Sequence, residues 1–351
     1  MPAAAPSVPR RLPLRRRLLF ALVPLAAVLL VAELAIRLVR APLHFGSFRE
    51  FRVDLMRRNY PAERDPQLGY VPRANFASTD NHWGTRVSID EHGLRRNGGA
   101  AAPADVPAVV AVGDSFTFGD QVDDDASWPA QLEPLLGRPV RNGGVFGYSL
   151  TQAVLRGEQL VQRFAATDLV VSFIAGDLER CEYSKRYTPV PWFDLRGDEL
   201  VLQPVPADDA VADPGKQWKD LLGHSALLDA VFANTSRAWW YENEKQVTVP
   251  HLVGRGREIG ERLMDRIAAF CRARGVRLLV VLQGEKQDDN ASAVLARAQA
   301  AGARTLDLVD RFLAAERADP SVRARWFDGH MTRAGNGWVA AHIAVALQAP
   351  R

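Results

Sequence analysis

A serine stands directly after a short apolar run, in the sequence Gly113-Asp114-Ser115. The run before it, residues 107–112, has the length and composition of a buried strand. A serine at the carboxyl end of such a strand lies on a tight strand-to-helix turn, where its Oγ can be exposed and its own N–H is free to bind an oxyanion. Gly-Asp-Ser is a common tripeptide, so the strand before it is what makes Ser115 a candidate nucleophile.

An aspartate and a histidine lie two residues apart near the C-terminus, at Asp328 and His330. Thr332 has the residue type of a helix N-cap, which places His330 on a loop just before a final helix. There the histidine can act as a general base, and Asp328 can orient its ring and stabilise its protonated form. An isolated Asp-x-His is more often a surface histidine beside a capping aspartate, but the serine upstream favours the catalytic interpretation.

Short apolar runs that alternate with helical stretches must position these residues. Five runs have the character of buried strands: 107–112, 140–143, 169–174, 277–282 and 304–308. Helical stretches separate or follow them: one opened by Ser127-Trp128-Pro129, then 151–164, 258–274, 291–301 and 333–347. This alternation predicts a three-layer α/β domain whose parallel sheet is covered on both faces. Such sheets bind ligands outside the carboxyl ends of their strands, which is where Ser115 would lie.

These features together resemble the SGNH (GDSL) hydrolase family, in its membrane-anchored bacterial type. The blocks of that family are matched by Gly113–Ser115, by Asn142–Gly147, in part by Ile174–Asp177, and by Asp328 with His330. The likeness spans about residues 106–350.

The resemblance implies both a fold and a mechanism. The fold would be the flavodoxin-like three-layer sheet of SGNH hydrolases. Ser115, Asp328 and His330 would form a catalytic triad, and the N–H groups of Ser115 and Gly147 would hold the oxyanion. The family's reaction needs no metal ion and no organic cofactor.

The third block departs from the family pattern. Family members carry an asparagine there whose side chain is an oxyanion donor, and this chain has Gly176. Loss of one such donor costs roughly 10²–10³ in rate. Either Gln152 or Arg180 substitutes for it, or water enters, or the activity is weak. Asp177, the next residue, is expected to be structural.

The N-terminal forty residues have the composition of a membrane anchor. They hold seven arginines and one acidic residue, Glu33, so their net charge is +6. Since the whole chain carries +3, residues 41–351 carry −3. The basic charge is therefore local, and a nucleic-acid partner loses its support. Residues 1–17 are expected to form a basic cytoplasmic tail and residues 18–39 a transmembrane helix, with the remainder extracytoplasmic, hence periplasmic. The alternative is a cleaved signal peptide. Glu33 and Arg37 are spaced to pair along the helix.

Two segments interrupt or precede the strand–helix rhythm. Residues 40–105 are expected to form an N-terminal extension, with a short strand at Thr85–Asp90, before the hydrolase domain at 106–350. Residues 178–257 are expected to be an insertion near the active-site edge, with a helix over Ala226–Lys245 capped by Ser225. Within it, Trp239-Trp240-Tyr241 either packs the insertion or stacks on a sugar or lipid headgroup, and packing is favoured.

Other candidate sites are weak. Asp123-Asp124-Asp125 lacks the glycine and glutamate spacing of a calcium loop, and the seven histidines show no metal spacing. No metal site is expected. The two cysteines, Cys181 and Cys271, could form one disulfide outside the cytoplasm, but two buried thiols are favoured.

Three functions remain open. The first is a serine ester hydrolase that removes acetyl or other short acyl groups from an extracytoplasmic carbohydrate. The second is an O-acetyltransferase, since the Asp-x-His spacing and the setting also resemble SGNH-like domains of polysaccharide acetylation proteins. The third is a non-catalytic binding protein of the same fold, which Gly176 favours and the intact Ser115, Asp328 and His330 disfavour. The substrate would be an acylated small molecule or polysaccharide; the sequence names no protein partner.

Overall fold

The computed structural model describes residues 13–40, 46–58, 61–79, 83–99, 103, 105–186, 188–197, 199–205, 215–241 and 246–349. The described residues form two compact units. One contains those within 1–57 and 213–243, and the other contains those within 58–212 and 244–351.

Helices and strands are numbered along the chain. The α-helices are α1 (Leu14–Arg40), α2 (Phe48–Arg58), α3 (Ser115–Phe118), α4 (Trp128–Leu136), α5 (Leu150–Arg163), α6 (Ala175–Glu179), α7 (Lys216–Leu222), α8 (Ala226–Thr235), α9 (Arg237–Tyr241), α10 (Gly256–Ala273), α11 (Asp289–Ala300), α12 (Leu308–Ala318), α13 (Ser321–Trp326) and α14 (Arg333–Gln348). The strands are β1 (Ala62–Asp65), β2 (Gly69–Pro72), β3 (Ala77–Ser78), β4 (Val87–Ser88), β5 (Ala108–Val112), β6 (Val140–Asn142), β7 (Ala166–Phe173), β8 (Tyr183–Arg186), β9 (Thr188–Pro189), β10 (Trp192–Arg196), β11 (Glu199–Gln203), β12 (Val247–Thr248), β13 (Arg277–Leu282), β14 (Arg304–Asp307), β15 (Phe327–Asp328) and β16 (His330–Met331).

A five-stranded parallel sheet organises the larger unit. Its strands lie in the order β14-β13-β7-β5-β6, and every neighbouring pair is parallel. Numbered by chain order within the sheet, this is 2-1-3-4-5, the flavodoxin-like order. The five strands expected from sequence are confirmed, although β7 begins at Ala166, three residues before the predicted start.

Two apolar layers pack on opposite faces of this sheet. Side chains of β5 alternate between them, with Val110 and Val112 in one core and Val109 and Ala111 in the other. The first core takes its helical side chains mainly from α5, α10 and α11, and the second from α4 and α14. The strands are therefore buried on both faces, as their continuous apolar composition predicts.

Helix starts follow the capping chemistry of the sequence. Ser149 opens α5 with a capping box, in which its Oγ accepts the N–H of Gln152 and the Gln152 side chain accepts the N–H of Ser149. Thr332 caps α14, the helix that directly follows the hairpin carrying His330.

The segment before the sheet belongs to the same core. Leu68, Tyr70 and Ile89 are buried in the first apolar layer. The strand expected at Thr85–Asp90 is shorter, because β4 covers only Val87–Ser88 and Ile89 forms an isolated bridge instead of continuing the pairing.

The segment expected as one insertion is divided between the two units. Strands β8 to β12 belong to the larger unit, whereas α7, α8 and α9 belong to the smaller one. Ser225 caps α8 as predicted, but the helix expected over Ala226–Lys245 is interrupted at Ser236, whose backbone leaves the helical region at φ −148°. Residues 242–245 lie outside the described residues.

Trp240 is fully buried and donates to Asp229 at 2.8 Å, which agrees with the packing interpretation for this residue.

The smaller unit contains the apolar N-terminal helix. Within α1, the stretch Leu19–Arg40 has a mean hydropathy of 2.6 over its most apolar window and is long enough to cross a membrane. Arg37 donates to Glu33 at 2.7 Å, which confirms the expected pair. Glu33 also accepts the N–H groups of Ala226 and Leu227, each at 2.8 Å, and so caps the start of α8.

Candidate active site

Ser115 is the first residue of α3, immediately after β5 ends. Asp114 caps this short helix, with its Oδ1 accepting the N–H of Phe116 at 3.0 Å. The turn is too tight for a side chain at Gly113, because a Cβ there would lie 2.4 Å from Thr117 Oγ1 and 2.5 Å from the Ser172 carbonyl oxygen. Strand β5 and this cap therefore hold Ser115 at the carboxyl edge of the sheet.

His330 reaches Ser115 from the other end of the chain. Its Nε2 lies 2.9 Å from Ser115 Oγ, which is the separation needed for a base to take the hydroxyl proton. The histidine begins β16 in a two-strand hairpin whose turn is Gly329, at φ +77°. Its N–H donates to Gln121 Oε1 at 3.2 Å, and the Phe116 ring lies 5.2 Å from the imidazole.

Asp328 pairs with His330 in the backbone register of the hairpin, but its carboxylate does not meet the ring. The side chain is exposed, and the structure records no hydrogen bond or ion pair between the two residues. The Nδ1 atom of His330 is buried and has no hydrogen-bond partner among the described residues. The structure thus brings together two members of the predicted triad, and the role of Asp328 stays a prediction.

A different carboxylate lies beside the imidazole. Asp120 Oδ1 is 3.8 Å from His330 Nε2, and the Asp120 side chain is 7% exposed. Oδ1 has no hydrogen-bond partner in the described part of the chain. Burial raises the pKa of the Asp120 carboxyl to about 6, although the nearby charges of His330 and Arg95 oppose the shift. A buried carboxyl with this pKa beside a histidine is typical of a catalytic site.

Two backbone N–H groups are available for an oxyanion. The N–H of Ser115 has no acceptor within its helix because Ser115 is the first residue. No hydrogen bond from the N–H of Gly147 is recorded to any described residue. The loop that carries Gly147 is joined to the turn that carries Ser115, since Val145 N–H donates to the Gly113 carbonyl oxygen at 3.0 Å. This close approach requires Gly144, where a Cβ would lie 2.5 Å from the Phe118 nitrogen.

Of the two substitutes considered for the missing asparagine, Gln152 is already engaged. Its side chain is buried, and its Nε2 donates to the Leu68 carbonyl oxygen at 2.8 Å. Arg180 instead lies beside the nucleophile turn, with Nη1 3.1 Å from the Tyr148 carbonyl oxygen and 3.4 Å from Asp114 Oδ2. Its Nη1 also donates to Asp177 Oδ1.

Asp177 has the contacts of a structural residue. Its Oδ2 accepts the N–H of Ile174 at 3.1 Å at the start of α6, and its side chain is buried. Burial, together with the nearby Asp114, raises the pKa of Asp177 well above its usual value.

The acidic run and the cysteines have structural roles. Asp123 and Asp124 accept the N–H groups of Arg86 and Ser88, at 2.7 Å and 2.9 Å, and Asp125 pairs with Arg333 at 2.9 Å. The described residues contain no cluster of metal-ligating side chains.

Cys181 and Cys271 are both buried free thiols, which agrees with the interpretation favoured from the sequence, two buried thiols and no disulfide. Burial raises the pKa of the Cys181 thiol to about 11.

No protein-family model matches this chain, and no curated protein matches it. Solved structures do match it, at low identity. TesA is 13% identical, with a TM-score of 0.39 over 69% of this chain and 98% of its own. An alpha/beta hydrolase enzyme from the metagenome of Lake Arreo is 14% identical, with a TM-score of 0.37 over 70% of this chain and 96% of its own. A GDSL-like lipase from Bacteroides thetaiotaomicron is 10% identical, with a TM-score of 0.35 over 68% of this chain and 86% of its own.

The chain's own topology agrees with its motifs. Its parallel sheet has the flavodoxin-like order, Ser115 follows the first strand of that sheet, and His330 stands just before the last helix. The chain therefore has a flavodoxin-like α/β fold, with Ser115 and His330 at the positions that the resemblance to SGNH hydrolases implies.

Within this fold, Asp120 is the site residue that sequence reasoning missed. It follows Gly119, the left-handed residue at φ +78° that ends α3, so the chain turns back toward the nucleophile after a single helical turn. The signal available in the sequence was Gly119-Asp120 four and five residues after Ser115, at the spacing of a short helix and its terminating glycine.

Proposed function

We propose that this protein is a membrane-anchored serine ester hydrolase of the SGNH type. The observation that carries the proposal is the 2.9 Å separation between Ser115 Oγ and His330 Nε2 at the carboxyl edge of the parallel sheet. A surface histidine beside a capping aspartate, the competing interpretation, has no reason to meet a serine 215 residues away.

The reaction would proceed in two steps. His330 Nε2 takes the Ser115 proton while Oγ attacks the ester carbonyl carbon, and the N–H groups of Ser115 and Gly147 donate to the resulting oxyanion. Collapse breaks the ester C–O bond, the protonated His330 gives its proton to the leaving alcohol, and an acyl-enzyme remains. Water, deprotonated by His330, then attacks the acyl carbon, the bond between that carbon and Ser115 Oγ breaks, and the protonated His330 returns its proton to Oγ as the acid leaves.

The substrate proposal follows from the setting. The N-terminal helix is long and apolar enough to anchor the protein, and the arginines before it favour a cytoplasmic start and a periplasmic catalytic unit. Ester-bearing polymers that meet such a unit include acylated envelope or secreted carbohydrates. We propose acetyl or other short acyl groups on such a carbohydrate as the substrate.

The test uses the full-length chain in detergent micelles. Turnover of p-nitrophenyl acetate is measured beside Ser115→Ala and His330→Ala, and Ser115 is labelled with a fluorophosphonate probe. Activity that is lost in both variants, with probe labelling that needs Ser115, supports a working nucleophile and base. Wild-type turnover no higher than that of Ser115→Ala, together with absent labelling, would exclude a serine hydrolase and favour a binding protein of this fold. Release of acetate from an acetylated polysaccharide in water, against transfer to an added sugar, separates hydrolysis from acyl transfer.

A further inference from the structure

Position 176 lacks the side chain that SGNH hydrolases use as an oxyanion donor. With Gly176 there, only the backbone N–H groups of Ser115 and Gly147 remain of the family's donor set. An oxyanion hole that is short of one donor is expected to be slower by roughly 10²–10³. Ser115 and His330 nevertheless remain 2.9 Å apart, so another donor beside the site would compensate for the missing one.

The guanidinium of Arg180 lies between the neighbours of both backbone donors. Its Nη1 is 3.1 Å from the carbonyl oxygen of Tyr148, the residue after Gly147, and 3.4 Å from Oδ2 of Asp114, the residue before Ser115. The side chain is 18% exposed, so it is largely withdrawn from bulk water.

The guanidinium also faces the vacant position itself. A Cβ placed on Gly176 would lie 3.7 Å from Arg180 Nη2 and 3.9 Å from Ile174 Cδ1. Both are ordinary van der Waals separations. An asparagine side chain at position 176 would thus extend into space that is bordered by the guanidinium N–H groups of Arg180, at the C-terminal end of α6.

The charge of Arg180 suits this task. A guanidinium stays protonated and presents several N–H donors in a rigid plane, so one edge can be anchored while another donates elsewhere. Here Nη1 is anchored by Asp177, Asp114 and the Tyr148 carbonyl oxygen.

We propose that Arg180 is a catalytic residue, which donates a hydrogen bond to the tetrahedral oxyanion in place of the asparagine absent at position 176. This inference rests on the proposed ester hydrolysis at Ser115. It gives the site a charged donor, which makes stronger hydrogen bonds than the neutral amide it replaces.

The test is a replacement and rescue in the full-length chain. Arg180→Ala is expected to lower kcat/KM for p-nitrophenyl acetate by roughly 10²–10³, mainly through kcat, because the donor acts on the transition state. Adding Gly176→Asn to Arg180→Ala restores the family's donor and should recover at least about tenfold of the loss. The matched control is Gly176→Ala with Arg180→Ala, which adds the Cβ without the amide and should recover nothing.

A purely structural role would give a different pattern. If Arg180 only bridges Asp114 and Asp177, Asn and Ala at position 176 would have equal effects, and that result would overturn the proposal. So would an Arg180→Ala variant within about threefold of wild type.

Because Arg180→Ala could also fail to fold, the same rescue is measured in Arg180→Gln, with the thermal unfolding midpoint as the folding check. Affinity for a boronic acid, which forms a tetrahedral anion on a nucleophilic serine, should fall in parallel with kcat/KM. A wild-type chain that neither turns over ester nor labels at Ser115 would instead reject the proposed function, before Arg180 is tested.

Discussion

The carboxylate of Asp120 and the hydroxyl of Ser115 contact the same nitrogen of His330. Nε2 lies 2.9 Å from Ser115 Oγ and 3.8 Å from Asp120 Oδ1. Nδ1, the nitrogen that an aspartate engages in a Ser-His-Asp triad, has no partner among the described residues. The Asp120 carboxylate therefore lies beside Nε2, which is the nitrogen that would accept the Ser115 proton.

Replacement of Asp120 should change the pH dependence of catalysis. The Asp120 carboxyl lies 3.8 Å from His330 Nε2, and burial raises its pKa to about 6, so it carries its negative charge above that pH and loses the charge below it. The charge stabilises the imidazolium that forms in the transition state, and Asp120→Asn lacks that charge at every pH. We therefore expect kcat/KM of Asp120→Asn to be roughly tenfold below that of wild type above pH 6 and to approach the wild-type value near pH 5.

The measurement is kcat/KM for p-nitrophenyl acetate between pH 4 and 9, with Asp125→Asn as the control. Asp125 is a nearby aspartate that pairs with Arg333 at the surface, 2.9 Å away, and its loss should leave kcat/KM unchanged across this pH range. An Asp120→Asn variant that matches wild type at pH 8 as well as at pH 5 would show that the carboxylate does not act on His330.

The same residue should make stability depend on pH. The pKa of Asp120 rises from 3.8 in the unfolded chain to about 6 in the folded one, because burial disfavours the charged form. The folded state thus binds the proton more tightly, and stability falls as pH rises from about 4 to about 6. The shift of about 2 units corresponds to roughly 3 kcal/mol lost from the free energy of unfolding above pH 6.

Asp120→Asn removes that ionisation, so the variant should gain stability over wild type at pH 7.5 and little at pH 3.5. Thermal unfolding at the two pH values measures the difference. Equal effects at both would mean that Asp120 ionises in the folded protein as it does in the unfolded chain.

Glu33 should stabilise α8 through its carboxylate. It accepts the N–H groups of Ala226 and Leu227 and the hydroxyl of Ser225, all at 2.8 Å, which are donors that a helix start leaves without partners. In Glu33→Ala the cap is lost, at a cost of about 1 kcal/mol to the local helix.

Hydrogen exchange of the full-length protein in detergent is the measurement, and the amides of residues 226–228 should lose about fivefold in protection. Glu50→Ala, at an exposed glutamate of α2, is the control that should leave them unchanged. Unaltered protection in Glu33→Ala would mean that Ser225 alone caps the helix.

The sequence predicted the features that depend on residues close together in the chain, such as strands and helix caps. The strands of the parallel sheet are continuous apolar runs because both faces are covered, so their positions could be recognised without the fold. Thr332 and Ser225 were recognisable as caps because a cap is a contact over two or three residues. Ser115 and His330 could be paired only through their places relative to strands and helices, and the structure brings them together.

What the sequence did not predict depends on tertiary packing. Asp120 comes near His330 only because Gly119 ends α3 after one turn and the final hairpin folds over it. The break between α8 and α9 follows from Trp240 and Tyr241, which both donate to the buried Asp229 at 2.8 Å and so draw α9 back onto α8. No periodicity in the sequence encodes that contact.

Asp328 can be tested directly as the triad carboxylate. The buried Nδ1 of His330 lacks an acceptor, and an unsatisfied buried donor costs about 1–3 kcal/mol. Asp328 is two residues away on the same hairpin, and catalytic hydrogen bonds are often long in an unliganded site and shorten when substrate is bound. We therefore expect Asp328→Ala to lower kcat by at least about 10²-fold with little change in the unfolding midpoint, because the side chain is exposed.

The matched control is Asp319→Ala, an exposed aspartate whose side chain pairs with Arg325 at 2.9 Å, away from His330. If Asp328→Ala keeps wild-type kcat while Asp120→Asn does not, Asp120 is the carboxylate on which the base depends, and the site works as a serine–histidine pair with its acid on the Nε2 side. If both variants lose activity and their effects multiply in the double variant, the two carboxylates act independently on opposite edges of the imidazole.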